Sequence, residues 1–352
     1  MIKILHSADW HLDAPLRGKK QLKSILLGIP ATIARICKEE ACDLVLLSGD
    51  LFDTAYTKES YRVLYDALKA MEVPVFITPG NHDPATSQSP YFLEVWPENV
   101  HIFTRQVIES VAIPGLNCRI YGAAFIDKDC PALLEGFRAN CDEKYAIGIF
   151  HGDPLTLTSP CNPITQAQVR ESGLDYLALG HTHASGSFTA GDTLCLWAGC
   201  PMGKDYGEPG EKGVYIVTLD GSASANFIPL DTPRFYDIEE PVRQDPRHTV
   251  ESLLPPAGNE DYYRITLTGV CEPFVLEELL GNFSHFPNLV LRDHTRRPVD
   301  VWKALGQDTL EGRYFGMLKN AIDTADKETA QTLELAADIC RQILDGQEVE
   351  LP

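Results

Sequence analysis

Seven side chains within the first 183 residues share a setting and a chemical character. Each follows or ends a short apolar run, and each offers a donor atom that binds metal ions: Asp9, His11, Asp50, Asn81, His151, His181 and His183. Carboxylate, amide and imidazole donors without a thiolate suit Mn, Mg, Fe or Zn in mixed nitrogen and oxygen sites. We therefore take these seven residues as candidate metal ligands.

The spacing of the candidate ligands favours one common site. Asp9 and His11 are two residues apart, and so are His181 and His183. In an extended backbone, residues i and i+2 point to the same side, so each pair can face one site. Glycines at positions 49, 80, 152 and 180 stand beside the ligands. They suit tight turns and a close approach of the backbone.

Two carboxylates and four imidazoles are too many donors for one ion. Asp50 is the natural candidate to bridge two ions. Two ions about 3.5–4 Å apart can bind both the attacking and the leaving oxygen of an in-line displacement at phosphorus. A lone histidine after a strand is commonly structural, and a lone Gly-Asp is commonly a turn. The joint pattern favours a metal site, whereas five histidines that lack this setting are expected to be structural: His6, His101, His248, His285 and His294.

The elements that must position these side chains follow from the apolar pattern. Strands are predicted at 2–7, 44–48, 73–78, 119–123, 146–150, 176–179, 193–198 and 213–219. Helices are predicted at 21–40 and 58–71, the second after Thr57 as a capping residue. Alternating strands and helices predict an α/β core with mixed sheets, in which ligand sites collect beyond the carboxyl ends of strands.

A composition change near residues 229–233 divides the chain. We predict a catalytic domain at 1–232, a small α+β cap domain of βαβαβ-like order at 233–300, and a helical tail at 301–352. The cap strands are predicted at 234–242, 262–268 and 288–292, and its helices at 247–254 and 274–283. The tail is helical over 309–345, with an interruption at 324–327.

Size and composition describe an ordinary globular protein. The chain has 352 residues, 44% of them hydrophobic and 23% charged. No apolar run approaches the roughly 18 residues that cross a bilayer, and the N-terminus reads as a strand and not a signal peptide. These features predict a cytoplasmic protein without membrane association. The ten scattered cysteines then favour reduced, mostly buried thiols over disulfides or a zinc framework.

The acidic charge is the main argument against a nucleic-acid enzyme. The formal net charge is −20, with 18 − 28 = −10 in residues 1–232 and 12 − 22 = −10 in residues 233–352. Counterion release by clustered Lys and Arg supplies most of the affinity for phosphate backbones. The charge therefore predicts weak binding of DNA by this chain alone.

The order of the motifs resembles that of the calcineurin-like metallophosphoesterases. The motifs are Asp9-x-His11, Gly49-Asp50-x-x-Asp53, Gly80-Asn81-His82-Asp83, His151-Gly152 and Gly180-His181-x-His183. The resemblance implies a four-layer αββα fold, in which two mixed β-sheets pack face to face with helices outside.

Further stretches are similar to the DNA-repair exonuclease branch of that superfamily, which is SbcD/YhaO-like. Residues 7–13, 49–54 and 198–213 resemble the corresponding stretches of that branch, and the part after Pro233 resembles its DNA-capping domain. The tail motif at 308–312 is most similar to YhaO-type proteins.

The resemblance implies a role for each matching position. Asp9, His11, Asp50 and His183 would hold the first ion, and Asp50, Asn81, His151 and His181 the second. His82 would act near the leaving oxygen as a general acid or a cationic stabiliser. Asp53 would orient His82 by a hydrogen bond. Mn²⁺ is the implied working metal, while the donor set also suits Mg²⁺, Fe or Zn²⁺.

A basic run follows the first motif and offers candidate DNA contacts. It comprises Arg17, Lys19, Lys20 and Lys23, which suit either contacts to a phosphate backbone or a solvated helix start. The resemblance implies duplex or single-stranded DNA as substrate and a coiled-coil ATPase as partner. Members of this branch are often dimers, so a second copy of the chain is a further expected partner.

Three functions follow, of which one is favoured. The first is a metal-dependent DNA exonuclease or endonuclease subunit of DNA repair that works with the ATPase. The second is a phosphodiesterase or phosphatase that acts on nucleotides or other small phosphoesters, which the acidic charge favours. The third is a non-catalytic scaffold subunit of an ATPase complex, which degenerate motifs would favour. Every ligand position here carries a competent residue.

Overall fold

The computed structural model describes residues 1–16, 20–243, 245–298, 300–346 and 349. The chain divides into two compact units, Met1–Tyr236 and Asp237–Pro352. Among the described residues, no helix combines the length and the apolar character that crossing a bilayer requires. All ten cysteines are described and carry free thiols, six of them buried.

The first of two six-stranded sheets in unit 1 contains the amino-terminal strand. Its strands are β1 (Ile2–Ser7), β2 (Leu44–Leu47), β3 (Val75–Ile77), β4 (Val100–Ile102), β11 (Gly213–Asp220) and β12 (Ser222–Pro229). They lie in the order β12-β11-β1-β2-β3-β4. The neighbours from β1 to β4 pair in parallel, whereas β11 pairs antiparallel with both β1 and β12, so the sheet is mixed.

The second sheet is also mixed. Its strands are β5 (Glu109–Ile113), β6 (Cys118–Gly122), β7 (Tyr145–His151), β8 (Tyr176–Gly180), β9 (Gly186–Ala190) and β10 (Thr193–Trp197). They lie in the order β5-β6-β7-β8-β10-β9. The four central strands are parallel, and an antiparallel strand closes each edge.

The two sheets pack face to face around one apolar core. Alternate residues of β1, Ile2 and Ile4, join the same buried cluster as Ile147 and Ala178 of the second sheet. Since side chains alternate along a strand, Lys3, Leu5 and Ser7 face the opposite way, and Leu5 among them is fully buried. Both faces of β1 are therefore covered, as a parallel layered sheet requires.

The described part of unit 1 contains the 3-10 helix Pro114–Leu116 and four α-helices: α1 (Lys20–Glu39), α2 (Lys58–Met71), α3 (Pro90–Leu93) and α4 (Gln166–Glu171). The first two connect parallel neighbouring strands, and such crossovers place helices on a sheet face. Thr57 accepts a hydrogen bond from the backbone of Ser60, whose side chain accepts one from Thr57 in return. This capping box fixes the start of α2, as predicted at Thr57. Together, the layers form the predicted arrangement of two mixed sheets flanked by helices.

The second unit contains a small sheet and two longer helices. Its elements are β13 (Phe235–Pro241), α5 (Pro246–Leu253), β14 (Tyr262–Thr268), α6 (Leu276–Gly281), β15 (Leu289–Asp293), α7 (Leu310–Thr324) and α8 (Lys327–Leu344). The strands lie in the order β13-β14-β15, and β14 and β15 are parallel. Phe315 of α7 and Ala337 of α8 are buried in one apolar cluster. The separation of this unit into a cap and a tail stays a prediction.

Candidate metal centre

All seven predicted ligands lie at or just beyond the carboxyl ends of five parallel strands. Asp9, Asp50 and Asn81 follow β1, β2 and β3 of the first sheet, while His151 ends β7 and His181 follows β8 of the second. The backbone N–H of His181 donates to Oδ1 of Asp9 at 2.9 Å. This contact joins the two sheets at the edge where the ligands meet.

Several of the ligands adopt a backbone conformation that L-amino acids rarely take. The φ angles are +56° at Asp9, +46° at His11, +51° at Asp50 and +95° at His181. Such conformations cost about 1–3 kcal/mol each and persist only where the surroundings impose them. Here the N–H of Asp9 donates to Gly49 O and that of His11 to Asp50 O, each at 3.0 Å. The loops after β1 and β2 therefore hold each other in the strained form.

Two glycines allow the backbone to approach the ligands. A Cβ at Gly80 would lie 2.2 Å from Oδ1 of Asp50, and a Cβ at Gly180 would lie 2.1 Å from the carbonyl oxygen of Ser48. Both distances are far inside van der Waals contact. Neither position has room for a Cβ atom, so both require glycine.

The first group of candidate ligands contains Asp9, His11 and His183. Ligand atoms of these three residues all lie within 4.8 Å of one another. Nε2 of His11 lies 3.1 Å from Nε2 of His183, and it lies 3.7 Å from Oδ2 of Asp50. Two ring nitrogens that face each other so closely need a proton or a cation between them.

The second group contains Asn81, His151 and His181, and it also approaches Asp50. Nε2 of His151 is 3.4 Å from Oδ2 of Asp50, and 2.9 Å from Oδ1 of Asn81. Oδ1 of Asn81 also lies 3.1 Å from Nδ1 of His181. Asp50 thus contacts histidines of both groups, which is the position that a bridging carboxylate requires. This convergence of nitrogen and oxygen donors fits two divalent cations.

Burial and mutual charge set the protonation of this centre. Asp9, His11, Asp50 and His151 are each about 1% exposed. Burial would raise the pKa of Asp50, but His151 and His11 outweigh it and hold that pKa far below its usual range. Burial would likewise lower the pKa of His151, but the Asp50 and Asp9 carboxylates raise it to about 9. The site therefore concentrates negative charge that favours a cation.

His82 and Asp53 stand together beside the ligands. Nδ1 of His82 lies 2.8 Å from Oδ1 of Asp53, and the backbone N–H of His82 donates to Oδ1 of Asp50 at 2.9 Å. The ring of His82 packs edge-on against His11, with ring centroids 4.8 Å apart. Its side chain is 44% exposed, so it can reach a substrate. The imidazoles of His11, at 3.8 Å, and of His82, at 2.8 Å, lower the pKa of Asp53 despite partial burial.

Three acidic residues near the centre were given no role from the sequence, although Asp83 belongs to the motif Gly80-Asn81-His82-Asp83. Asp83 accepts hydrogen bonds from the backbone N–H groups of Leu51, Phe52 and Gly80 at 2.8–3.1 Å. Asp153 has a carboxylate oxygen 3.9 Å from Nε2 of His181. Such contacts depend on tertiary structure and leave no spacing pattern in the sequence.

The third of these residues, Glu208, contacts a predicted ligand directly. Its Oε1 lies 2.5 Å from Nδ1 of His183. Burial would raise the pKa of Glu208, but the hydrogen bond from His183 and the charge of Lys204 hold it at about 2. Glu208 lies within residues 198–213, which resemble the exonuclease branch. This resemblance was the available signal in the sequence for a role of Glu208.

The predicted DNA contacts are only partly described. Arg17 and Lys19 lie outside the described residues, and Lys20 is the first residue of α1. Lys23 is exposed on α1. A role for this basic run stays a prediction.

Comparison with known proteins places the chain among phosphoesterases. Residues 2–185 match the family model described as calcineurin-like phosphoesterase. The uncharacterized metallophosphoesterase YhaO of Bacillus subtilis (strain 168) is 27% identical over 92% of this chain and 88% of that protein. The SbcD component of the nuclease SbcCD of Staphylococcus epidermidis is 24% identical over 90% of this chain and 93% of that protein.

A solved structure of a dimetal phosphatase from Danio rerio covers 64% of this chain and 95% of its own, at 11% identity and a TM-score of 0.45. The matched family model spans all five strand ends and every predicted ligand. The chain belongs to the calcineurin-like phosphoesterase family, the metal-dependent hydrolases of phosphoester bonds.

Proposed function

We propose that this chain is a two-metal phosphodiesterase that cleaves DNA, as the nuclease subunit of a repair complex with a coiled-coil ATPase. The carrying observation is the complete set of donors around Asp50, which contacts histidines from both sheets. The similarity to the SbcD component of SbcCD over 90% of this chain supports DNA as the substrate. The contacts of the ligands and of His82 support a working hydrolase over a non-catalytic scaffold.

The donors divide into two overlapping sets. One ion would be held by Asp9, His11, Asp50 and His183, and the other by Asp50, Asn81, His151 and His181. The ions, for which we propose Mn²⁺, would supply positive charge to the phosphoryl oxygens and activate water for attack. Asp50 is common to both sets because it contacts His11 and His151.

His82 would assist the departure of the leaving oxygen. Its Nδ1 is engaged by Asp53 at 2.8 Å, so the proton on Nε2 is the one available to the substrate. A protonated ring donates this proton or stabilises the negative charge that develops on the leaving oxygen. The exposure of His82, in contrast to the buried ligands, is consistent with contact with a substrate.

The acidic charge of the chain supports a partner in DNA binding. A protein of net charge −20 gains little from counterion release unless a local basic region faces the phosphates. We propose that the run from Arg17 to Lys23 supplies a local contact and that the ATPase supplies most of the affinity. Lys23 is exposed on α1 and is therefore accessible to a ligand.

The same charge favours a second candidate function. A small phosphodiester or a nucleotide needs no extended basic surface, so the metal centre alone would suffice for a phosphodiesterase or phosphatase acting on small molecules. Both functions use the same residues in the same roles. They differ in whether DNA competes for the site.

The testing experiment measures hydrolysis of linear duplex and single-stranded DNA by the purified chain. The reactions contain Mn²⁺ or a chelator, and the variants are His82→Ala and, as a matched control, His248→Ala, which removes an exposed histidine on α5. We expect Mn²⁺-dependent cleavage that His82→Ala loses and His248→Ala keeps. Equal cleavage by His82→Ala would indicate a contaminant.

A parallel assay with bis(p-nitrophenyl) phosphate separates the two candidates. Hydrolysis that requires His82 and is inhibited by DNA supports the nuclease. Hydrolysis that DNA does not inhibit, without DNA cleavage, supports either the small-molecule phosphodiesterase or a nuclease that is inactive without its ATPase. Absence of both activities in the Mn²⁺-loaded wild-type chain contradicts both proposals.

A further inference from the structure

We infer that Glu208 is a positioning residue that fixes the ring of His183 for metal binding. The inference rests on the proposed two-metal function and adds to it a residue outside the set of seven ligands. It follows from how the two nitrogens of His183 are engaged. Nε2 faces Nε2 of His11 at 3.1 Å, whereas Nδ1 faces Oε1 of Glu208 at 2.5 Å.

The contact with Glu208 decides which nitrogen of His183 carries the proton. A carboxylate only accepts hydrogen bonds, so Nδ1 must donate. Nε2 then keeps its lone pair, and it is the nitrogen that faces the other candidate ligands. A carboxylate that receives the outer N–H of a metal-binding histidine fixes the ring orientation and increases the basicity of the coordinating nitrogen.

Glu208 is itself held in place. Its Oε2 accepts the backbone N–H of Lys204 at 2.8 Å, and the ammonium group of Lys204 lies 3.4 Å from Oε1. The side chain of Glu208 is 14% exposed, which shields its charge from solvent. A Cβ at Gly203 would lie 2.7 Å from the carbonyl oxygen of Glu208, so the turn is also closely packed. The carboxylate is therefore fixed before any metal binds.

The same segment holds the backbone of His183. The N–H of Cys200 donates to the carbonyl oxygen of His183 at 3.2 Å, and the ammonium group of Lys212 does so at 3.2 Å. Lys212 is buried at 7% exposure. Residues 200–212 thus contact His183 at both its ring and its backbone.

The outer ring nitrogens of the other three candidate histidines have different partners. Nδ1 of His151 faces the backbone carbonyl of Ser48 at 2.8 Å. The nearest outer carboxylates to His11 and His181 are Asp53 at 3.8 Å and Asp153 at 3.9 Å. When only carboxylates of described residues are considered, His183 is therefore the one of these four histidines that has a carboxylate within hydrogen-bond distance of its outer nitrogen. Loss of Glu208 should weaken the ion bound by His183 and spare the other ion.

The test is a titration of the metal-free full chain with Mn²⁺, in which electron paramagnetic resonance reports the free ion. The variants are Glu208→Ala, Glu208→Gln and, as a matched control, Glu211→Gln. Glu211 lies in the same segment, is exposed, and pairs with Arg234 and not with a candidate ligand. The spectrum of the loaded protein also distinguishes a coupled pair of Mn²⁺ ions from a single ion.

We expect Glu208→Ala to raise one dissociation constant about 10- to 100-fold and to leave the other nearly unchanged, with loss of the coupled-pair spectrum at limiting Mn²⁺. Glu208→Gln should give a smaller change, since its amide oxygen accepts the same hydrogen bond without the charge. Glu211→Gln should match the wild-type chain. If Glu208→Ala fails to fold, as judged by circular dichroism, Glu208→Gln decides alone.

Wild-type values for both ions in every folded Glu208 variant would overturn the inference and leave the two-metal proposal standing. A wild-type chain that binds fewer than two Mn²⁺ ions would instead overturn the two-metal proposal, and the inference with it. The wild-type titration therefore separates the two failures.

Discussion

Nδ1 of His82 lies 2.8 Å from Oδ1 of Asp53, and the two side chains differ in exposure. His82 is 44% exposed, whereas Asp53 is 16% exposed. A half-exposed histidine that is oriented by a shielded carboxylate is suited to exchange protons with a substrate. The pair lies beside the candidate metal ligands, because the N–H of His82 donates to Asp50.

Replacing Asp53 should affect turnover more than metal binding. We expect Asp53→Asn to lower kcat about 10- to 100-fold with little change in KM, because His82 loses its orienting carboxylate. The measurement is steady-state hydrolysis of a chromogenic phosphodiester with saturating Mn²⁺. Asp127→Asn removes an exposed carboxylate elsewhere and should keep wild-type rates. An unchanged kcat in Asp53→Asn would contradict the role of Asp53.

A methyl group at Gly80 should disable the metal centre. Its Cβ would lie 2.2 Å from Oδ1 of Asp50, so Asp50 or the turn must move. We expect Gly80→Ala to lose measurable binding of at least one Mn²⁺ ion in a calorimetric titration. Gly28→Ala is the matched control, since a Cβ there has no atom within 4 Å. That change should stabilise α1 by about 0.5–1 kcal/mol and leave Mn²⁺ binding unaltered. Wild-type Mn²⁺ affinity in Gly80→Ala would show that the turn adapts.

Asp83 should be important for stability. Its carboxylate accepts the backbone N–H groups of Leu51, Phe52 and Gly80 and the hydroxyl of Tyr91, at 2.6–3.1 Å. Removing it leaves several buried donors without an acceptor, each at a cost of about 1–3 kcal/mol. We expect Asp83→Ala to lower the free energy of unfolding in urea by about 3 kcal/mol or more.

The matched comparison for Asp83 is Tyr91→Phe. It deletes one donor and keeps the acceptor, so we expect a loss of about 1 kcal/mol. Equal losses in the two variants would show that the backbone contacts of Asp83 contribute little.

The stability of the folded chain should decrease as the pH is lowered, because His6 is buried without a proton. His6 is fully buried, with Nδ1 2.7 Å from the hydroxyl of Tyr176 and Nε2 3.0 Å from that of Ser48. Burial lowers its pKa from 6.5 to about 3, although a hydrogen bond involving the backbone of Leu179 opposes this shift. Between these values the unfolded chain binds the proton and the folded chain does not. The contribution to stability is therefore present above about pH 6.5 and is lost as pH falls toward 3.

The measurement is urea unfolding of the metal-free chain at pH 7 and pH 5. His6 should contribute a loss of about 2 kcal/mol over this interval. We expect His6→Gln to be less stable at pH 7 but to lose about 2 kcal/mol less on acidification than the wild-type chain. His248→Gln changes an exposed histidine and should keep the wild-type dependence. A dependence in His6→Gln equal to that of the wild-type chain would contradict this role.

Much of the fold could be predicted from local patterns. The helix at Lys58–Met71 and the strand at Tyr262–Thr268 have the predicted bounds, and the break between α7 and α8 falls where the periodicity is interrupted. The predicted strand at 73–78 is shorter, Val75–Ile77. These bounds could be predicted because the sequence itself contains a strong periodic pattern of apolar residues and a capping threonine.

Elements with weak local signals were not predicted. Strands β5, β9 and β12 lie at sheet edges, and nearly all of their residues are exposed or half-buried, so they lack a long, continuous buried apolar run. Helices α3 and α4 have four and six residues, too few for a helical period. Motif spacing was enough to select the seven candidate ligands, whose role in metal binding stays a prediction. Glu208 could not be selected in this way, since its partner His183 is 25 residues away and only the tertiary fold brings them together.

The distribution of the ligands over two sheets has a consequence for assembly of the protein. Asp9, His11, Asp50 and Asn81 come from the first sheet, while His151, His181 and His183 come from the second. Each proposed ion takes donors from both sheets, so neither sheet alone carries a complete site. Metal affinity would then arise only when the two sheets dock, and bound ions would stabilise the docked state by mass action. Metal binding would therefore mark the docking of the two sheets late in folding, and the bound ions would disfavour their separation.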